Sequence, residues 1–270
     1  MAELHSIIGK MPYRLALAGG WIDQPFVSKH NPKPPGSMVV ISVNPTFPFM
    51  SKCGLGTSTR KVAMQLWGDE MPADDPQKLM RDLYRAENAE RAEPSGSQDM
   101  AGIIFPGINR LDYDFKFADG YFPAHIESCI DPQISSWLES VIHILPINQR
   151  PQGYNPLGIK RLDPLWIDRL SQSGKNCFDA ILTKDSQSLG DSFNATMSCW
   201  EALLPHVVRH PTITLDLMKL LSYYQSRYFG AMFSGCGGGY FYIVSDEPVP
   251  GTFRVSIKTK NVERKDYAEG

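Results

Sequence analysis

The sequence lacks the features that mark several protein classes. Its five cysteines are scattered, odd in number and never arranged as C-x-x-C. This argues against a disulfide framework or a zinc site and predicts a reducing compartment, for which we expect the cytoplasm. No apolar run reaches the length of a membrane span, and the start, Met1 to Ser6, carries an acidic residue and no signal-peptide pattern. We therefore expect no membrane partner.

A dominant charge is also missing. The chain has 27 Lys and Arg against 29 Asp and Glu, a net charge of −2, and its basic residues occur only as single residues or short pairs. This argues against nucleic acid as a partner. The Walker pattern G-x-x-x-x-G-K-[ST] does not occur, which excludes the common P-loop for nucleotides. A chain of 270 residues is long enough for one large domain or two modest ones.

The most informative segment is a glycine loop, Gly54-Leu55-Gly56-Thr57-Ser58-Thr59. Apolar residues at helical spacing follow it and stop at Gly68. We expect the glycines to fold the loop tightly and the hydroxyl residues to cap the helix. Such a helix start attracts phosphate through its free N–H groups and its positive dipole end. Alone the signal is weak, because many helices begin with Gly and Ser only for capping.

The remaining pattern predicts an α+β protein with two lobes, 1–130 and 131–270. The first lobe has predicted strands at Tyr13 to Ala18 and Met38 to Val43, a proline-rich loop at 24–37 between them, a helix from Gln77 and a hairpin over 103–117. The second lobe has predicted helices near 161–172, 174–188, 190–203 and 213–226, and strands near 141–145, 228–233, 240–244 and 253–257.

Four segments, in order, supply the parts of a phosphoryl-transfer site. Arg14 and Asp23 flank a strand and a Gly-Gly turn, and the glycine loop follows. Glu87 lies on a predicted helix before Asp99, and a Ser-Gly-x-Gly-Gly-Gly turn occupies 234–239. The reaction needs a phosphate cradle, a metal held by oxygen ligands, a carboxylate facing the attacking hydroxyl and a nearby cation. Singly, each residue also has an ordinary explanation as a surface pair, a solvated charge, a helix cap or a hairpin.

Together these segments resemble the motifs of the GHMP kinases, most closely the sugar-kinase branch of galactokinase and the heptose-phosphate kinases. The first motif of that branch is similar to Arg14-Leu-Ala-Leu-Ala-Gly-Gly-Trp-Ile-Asp23, and its Gly-Leu-Gly-Ser-Ser-Ala phosphate loop is similar to 54–59. Glu87 precedes Asp99 by twelve residues, the family's spacing of metal ligand and catalytic Asp. The stretch 96–109 resembles the heptose kinases, and 234–239 resembles the third motif. The segment before the phosphate loop, 44–53, is shorter than in the family.

The resemblance implies a two-lobed fold, with a ribosomal protein S5 domain 2-like N-terminal lobe and a ferredoxin-like C-terminal lobe. It implies ATP-dependent phosphorylation of a hydroxyl on a sugar or sugar phosphate, by a monomer or homodimer. Asp99 would be the base, Arg14 would assist it, and Ser58 and Glu87 would hold Mg²⁺. The nucleotide would contact Gly54, Leu55, Gly56, Thr57, Ser58 and Thr59, and the substrate would contact Gly20, Asp23, Ser95, Gly96, Gly235 and Gly237.

Two alternatives stay open at the level of sequence. Because the strands that form the adenine side in the family are missing from 44–53, the chain is also consistent with a non-catalytic sugar- or nucleotide-binding protein on this scaffold. A lyase or decarboxylase built on the same fold is the weaker alternative.

Overall fold

Two antiparallel sheets organise the part of the chain that the structure describes. The structure is a computed structural model, and it describes residues 9–46, 48–51, 53–91 and 94–260. The predicted features of Met1 to Ser6 lie outside these residues. The first sheet has the strand order β1-β2-β3-β4, with β1 at Tyr13–Ala16, β2 at Gly36–Val43, β3 at Ile108–Tyr113 and β4 at His125–Cys129. The second has the order β5-β7-β6, with β5 at Ile142–Pro146, β6 at Gly230–Phe233 and β7 at Tyr240–Val244.

Helices connect and cover the two sheets. Three of them, at Pro76–Asn88, Pro132–Val141 and Pro164–Thr183, begin in the same way, with an aspartate side chain that accepts backbone N–H groups and a proline in the first turn. The helices are α1 Pro25–Ser28, α2 Thr57–Trp67, α3 Pro76–Asn88, α4 Gln98–Ile104, α5 Pro132–Val141, α6 Pro164–Thr183, α7 Ser186–Leu203, α8 Pro205–Val208 and α9 Leu217–Gln225.

The glycine loop leads directly into α2, which ends at Trp67 before Gly68 as predicted. The expectation that hydroxyl side chains cap this helix is wrong. Gly56 occupies the capping position with φ 63°, a left-handed conformation that favours glycine, and no side chain caps the helix. The Ser58 hydroxyl instead donates to Glu87. The helix start is therefore shaped by the backbone of the loop.

The predicted hairpin over 103–117 is also wrong. Ile103 and Ile104 end the helix α4, and β3 pairs with β2 and β4 instead. Both isoleucines are buried, so tertiary packing overrides their preference for strands. Smaller differences are that a short helix, α1, forms within the predicted loop 24–37 and that 253–257 makes isolated bridges in place of a strand.

Helix α6 joins the two halves of the molecule. It packs on α7 and also on β2 of the first sheet, and β2 is buried along its whole length. The prediction of two helices near 161–172 and 174–188 is wrong, because α6 continues through Gly174, where any Cβ would strike the backbone of Ser37. The buried apolar residues of both halves form one cluster. A division of the chain near residue 130 therefore stays a prediction.

Candidate functional site

A cleft of about 1280 Å³ lies where the glycine loop, β1, the start of α4 and the 234–239 turn meet. Its walls come from both halves of the chain. Eleven of the residues predicted from the sequence line it, and they are Arg14, Gly20, Asp23, Gly54, Gly56, Thr57, Ser58, Ser95, Gly96, Asp99 and Gly235.

Arg14 connects the parts of this site. It projects from β1 with 5% of its surface exposed, forms an ion pair with Asp99, and donates from Nη1 to the carbonyl oxygen of Gly54 over 2.9 Å. Burial lowers the pKa of Arg14, while the charges of Asp23 and Glu87 act in the opposite direction. The alternative of an exposed surface pair is excluded by this burial.

Asp99 lies directly beside the beginning of α2. Thr59 Oγ1 is 3.4 Å from Asp99 Oδ2, and a Cβ on Gly56 would be 3.9 Å from Asp99 Oδ1. The buried Leu55 contributes its carbonyl oxygen, which accepts the backbone N–H of Arg14 over 3.5 Å. Asp99, Arg14 and the glycine loop therefore form one connected unit, although they are remote in the sequence.

Glu87 is buried behind Ser58. The Ser58 hydroxyl donates to Glu87 Oε1 over 3.2 Å, and Arg91 Nη2 lies 2.9 Å from the same oxygen. Glu87 Oε2 is buried and has no hydrogen-bond partner among the residues that the structure describes. A hydroxyl beside a carboxylate with an unpartnered oxygen is a donor set that suits Mg²⁺. Among the described residues no three His, Cys, Asp or Glu side chains form a metal cluster.

Asp23 is a buried carboxylate that faces Gly96. Only 1% of its surface is exposed, and within the part of the chain that the structure describes neither of its two oxygens has a hydrogen-bond partner. Burial raises the pKa of Asp23 to about 6, although the Arg14 charge and nearby donors, including Gln98, act to lower it. A Cβ on Gly96 would strike Asp23 Oδ2. The glycine therefore keeps the space beside this carboxylate open.

The 234–239 turn supports the glycine loop from the other half of the chain. Ser234 Oγ donates to the carbonyl oxygen of Cys53 over 2.6 Å, and a Cβ on Gly235 would lie 2.7 Å from the Cα of Gly54. Gly237 does not line the cleft. Its N–H donates to the carbonyl oxygen of Val207 over 2.8 Å, and its Cα faces the ring of Tyr154.

Several residues of this site were not predicted from the sequence. Gly102 in α4 gives Arg14 its space, since a Cβ there would strike the Arg14 side chain, and no local pattern marks it. Arg91 was detectable, because it follows Glu87 by four residues at helical spacing. Arg150 and Tyr154 lie in an irregular segment between β5 and α6 and also line the cleft. Their positions depend on tertiary packing alone.

Solved structures of kinases share this fold, although neither a protein-family model nor a curated protein matches the sequence. A D-glycero-D-manno-heptose 1-phosphate kinase from Bacteroides thetaiotaomicron is 11% identical, with 94% of this chain and 96% of that chain covered and a TM-score of 0.57. The L. major mevalonate kinase in complex with R-mevalonate is also 11% identical, with 94% and 97% covered and a TM-score of 0.57. The Lactococcus lactis galactokinase complexed with galactose is 11% identical, with 88% of this chain and 85% of that chain covered and a TM-score of 0.53. The α+β architecture expected from the sequence is thus confirmed, and the chain has the two-lobed fold of the GHMP kinases.

Proposed function

We propose that this protein transfers a phosphoryl group from ATP to a hydroxyl of a sugar or sugar phosphate, with Mg²⁺ as the metal. The observation that carries the proposal is the connection made by Arg14, whose guanidinium contacts both Asp99 and the Gly54 carbonyl of the glycine loop. A carboxylate that accepts a proton is thereby held beside a loop suited to phosphate.

Asp99 serves as the base in this proposal. It faces the cleft with 21% of its side chain exposed, which leaves it accessible to an acceptor hydroxyl. The Arg14 cation, which forms an ion pair with Asp99, would stabilise the oxygen anion that develops on the acceptor. Thr59 contributes its hydroxyl next to the second Asp99 oxygen. The acceptor oxygen attacks the γ-phosphorus of ATP while its proton moves to Asp99, the bond from that phosphorus to the β,γ-bridging oxygen breaks, and ADP leaves.

The glycine loop and the start of α2 would bind the phosphates of the nucleotide through residues 54–59. Ser58 and Glu87 would hold Mg²⁺, whose charge neutralises the phosphate oxygens during transfer. The Ser58 hydroxyl lines the cleft and lies 3.2 Å from Glu87 Oε1, and Glu87 is buried behind it. In this proposal the lobes 1–130 and 131–270 both contribute residues to the walls around the ligand.

The acceptor would lie against Asp23. A buried carboxylate whose oxygens have no hydrogen-bond partner among the described residues is well suited to accept hydrogen bonds from a polyol. Galactokinase complexed with galactose and a heptose 1-phosphate kinase are among the structures of the same fold, which supports a sugar as the acceptor class. Gly20, Ser95, Gly96 and Gly235 would contact it, and Gly237 would support the turn. We expect a cytoplasmic monomer or homodimer.

The variant Asp99→Asn tests the proposal. It keeps the size of the side chain and removes the base, so kcat should fall by roughly 10²- to 10⁴-fold. Asp179→Asn, an exposed carboxylate paired with Lys175, is the matched control and should leave turnover unchanged. Circular dichroism and thermal unfolding of both variants show whether the fold is kept. Phosphorylation at the wild-type rate by folded Asp99→Asn would reject the mechanism.

A non-catalytic binding protein is the second candidate, and one observation favours it. Arg91 already pairs with Glu87, the residue that would hold the metal. Calorimetry with ATP and Mg²⁺ separates the two functions when combined with a screen of sugars and sugar phosphates. Nucleotide binding with product formation supports the kinase, whereas a folded protein that binds a sugar but no nucleotide supports the second candidate.

A further inference from the structure

Arg150 brings a second guanidinium to the glycine loop from the C-terminal half of the chain. Its Nη2 lies 2.9 Å from the point that a Cβ on Gly235 would occupy, and that point is 2.7 Å from the Cα of Gly54. Both glycines and Arg150 line the same cleft. The guanidinium therefore lies where the two glycine turns meet.

This guanidinium has no counter-ion within the protein residues that the structure describes. Arg14 is paired with Asp99, but among described residues no carboxylate is within 4.0 Å of Arg150. The Nε of Arg150 is also buried and lacks a hydrogen-bond partner. Burial lowers the pKa of Arg14, and the Arg150 charge acts in the same direction. An unpaired and partly desolvated cation is costly, and an anion that binds beside it removes that cost.

The guanidinium of Arg150 lies next to the ring of Tyr154. The guanidinium carbon lies 5.8 Å from the centre of the Tyr154 ring, and the Tyr154 hydroxyl donates to the carbonyl oxygens of His206 at 3.0 Å and Val207 at 3.4 Å. The ring is thereby anchored next to α8. A cation held in place before the ligand arrives loses little side-chain freedom on binding.

We propose that Arg150 is a phosphate-binding residue that contacts the phosphate chain of the donor at the glycine loop. The planar guanidinium matches phosphate oxygens with two parallel N–H donors, which a carboxamide or a thioether cannot do. The inference deepens the proposed function, because it assigns to the C-terminal half one of the cations that phosphoryl transfer requires. It also assigns a binding role to the irregular segment between β5 and α6, which carries Arg150 and lines the cleft.

Calorimetry with inorganic tripolyphosphate and with ATP–Mg²⁺ tests the inference without relying on turnover. We expect Arg150→Met to lower the affinity for both ligands by roughly 10- to 100-fold, since it removes charge-assisted hydrogen bonds. Arg150→Lys keeps the charge but not the paired donors and should give an intermediate loss. The matched control is Arg227→Met, an exposed arginine that also lies over a tyrosine ring, Tyr223, outside the cleft. It should bind as the wild type does.

The outcomes separate this inference from the proposed function. Tripolyphosphate binding that depends on Arg150, in a protein that phosphorylates nothing, would support the inference and reject the kinase. If folded Arg150→Met and Arg150→Lys bind tripolyphosphate and ATP–Mg²⁺ with wild-type affinity, the inference is overturned. The proposed kinase function would be unaffected by that result. If the wild-type protein binds neither ligand, both are overturned. Should Arg150→Met fail to fold, the affinity of Arg150→Lys is compared with that of the wild type. A change in affinity below about twofold would overturn the inference.

Discussion

The buried carboxylate of Asp23 should make the protein less stable at neutral pH than at mildly acidic pH. Its pKa in the folded state is raised from 3.8 to about 6, chiefly because burial disfavours the charge. The folded state therefore binds this proton more tightly than the unfolded state does. At low pH the buried carboxyl is protonated and carries no charge, so it does not destabilise the fold. Stability is lost as the pH rises from 3.8 through about 6 and the carboxyl ionises.

The size of the effect follows from the two pKa values. A rise from 3.8 to about 6 corresponds to about 3 kcal/mol of folding stability lost at pH 7 and above. Asp23→Asn removes the ionisation and keeps the shape of the side chain. We expect it to raise the free energy of unfolding at pH 7 by about 1 to 3 kcal/mol. The gain is smaller than the full effect if the buried amide lacks hydrogen-bond partners, because an unpaired amide is itself destabilising.

Urea unfolding between pH 4 and pH 8 measures this difference. The gap in unfolding free energy between Asp23→Asn and the wild type should widen from pH 4 to about pH 6.5 and then stay constant. Asp82→Asn, on the exposed surface of α3, is the control and should shift stability by less than about 0.5 kcal/mol at every pH. A gap for Asp23→Asn that does not change with pH would refute the raised pKa. The same variant should bind the acceptor more weakly, which would show why an unfavourable carboxylate is kept.

Two further changes test the packing around the site. Gly102→Ala places a methyl group against the Arg14 side chain, so turnover should fall and thermal unfolding should show a loss of about 1 to 3 kcal/mol, although alanine is the better helix former. A more stable protein with unchanged turnover would contradict this packing. Arg91→Gln removes the cation that competes for Glu87, so the Mg²⁺ concentration for half-maximal activity should fall several-fold. A titration in which this variant requires more Mg²⁺ would instead make Arg91 a part of the ligand site.

The sequence predicted the elements whose evidence is local. The helix after Gly56 and its end at Trp67 follow from apolar spacing and from glycines at both boundaries. The buried strand β2 follows from its run of β-branched residues. The ordered motifs also identified residues that meet in one cleft, because each motif carries its chemistry within a few positions.

The errors arose where distant residues decide the local structure. Ile103 and Ile104 favour strands by themselves, yet they are helical because α4 buries them against the first sheet. Gly174 interrupts a helix pattern in the sequence, but within α6 it permits close contact with the backbone of Ser37. Arg150 shows the same limit for function, since its neighbours Gly54 and Gly235 are separated from it by 96 and 85 residues.

The contact of α6 with β2 has a consequence for how the chain acquires its structure during synthesis. The first sheet is complete in sequence once β4 ends at Cys129, but its covering helix extends to Thr183. A nascent chain would therefore expose apolar sheet surface to water or to chaperones for more than fifty residues of translation. Truncation at the predicted lobe boundary should leave a fragment that aggregates, because hydrophobic surface that α6 buries would remain in contact with water.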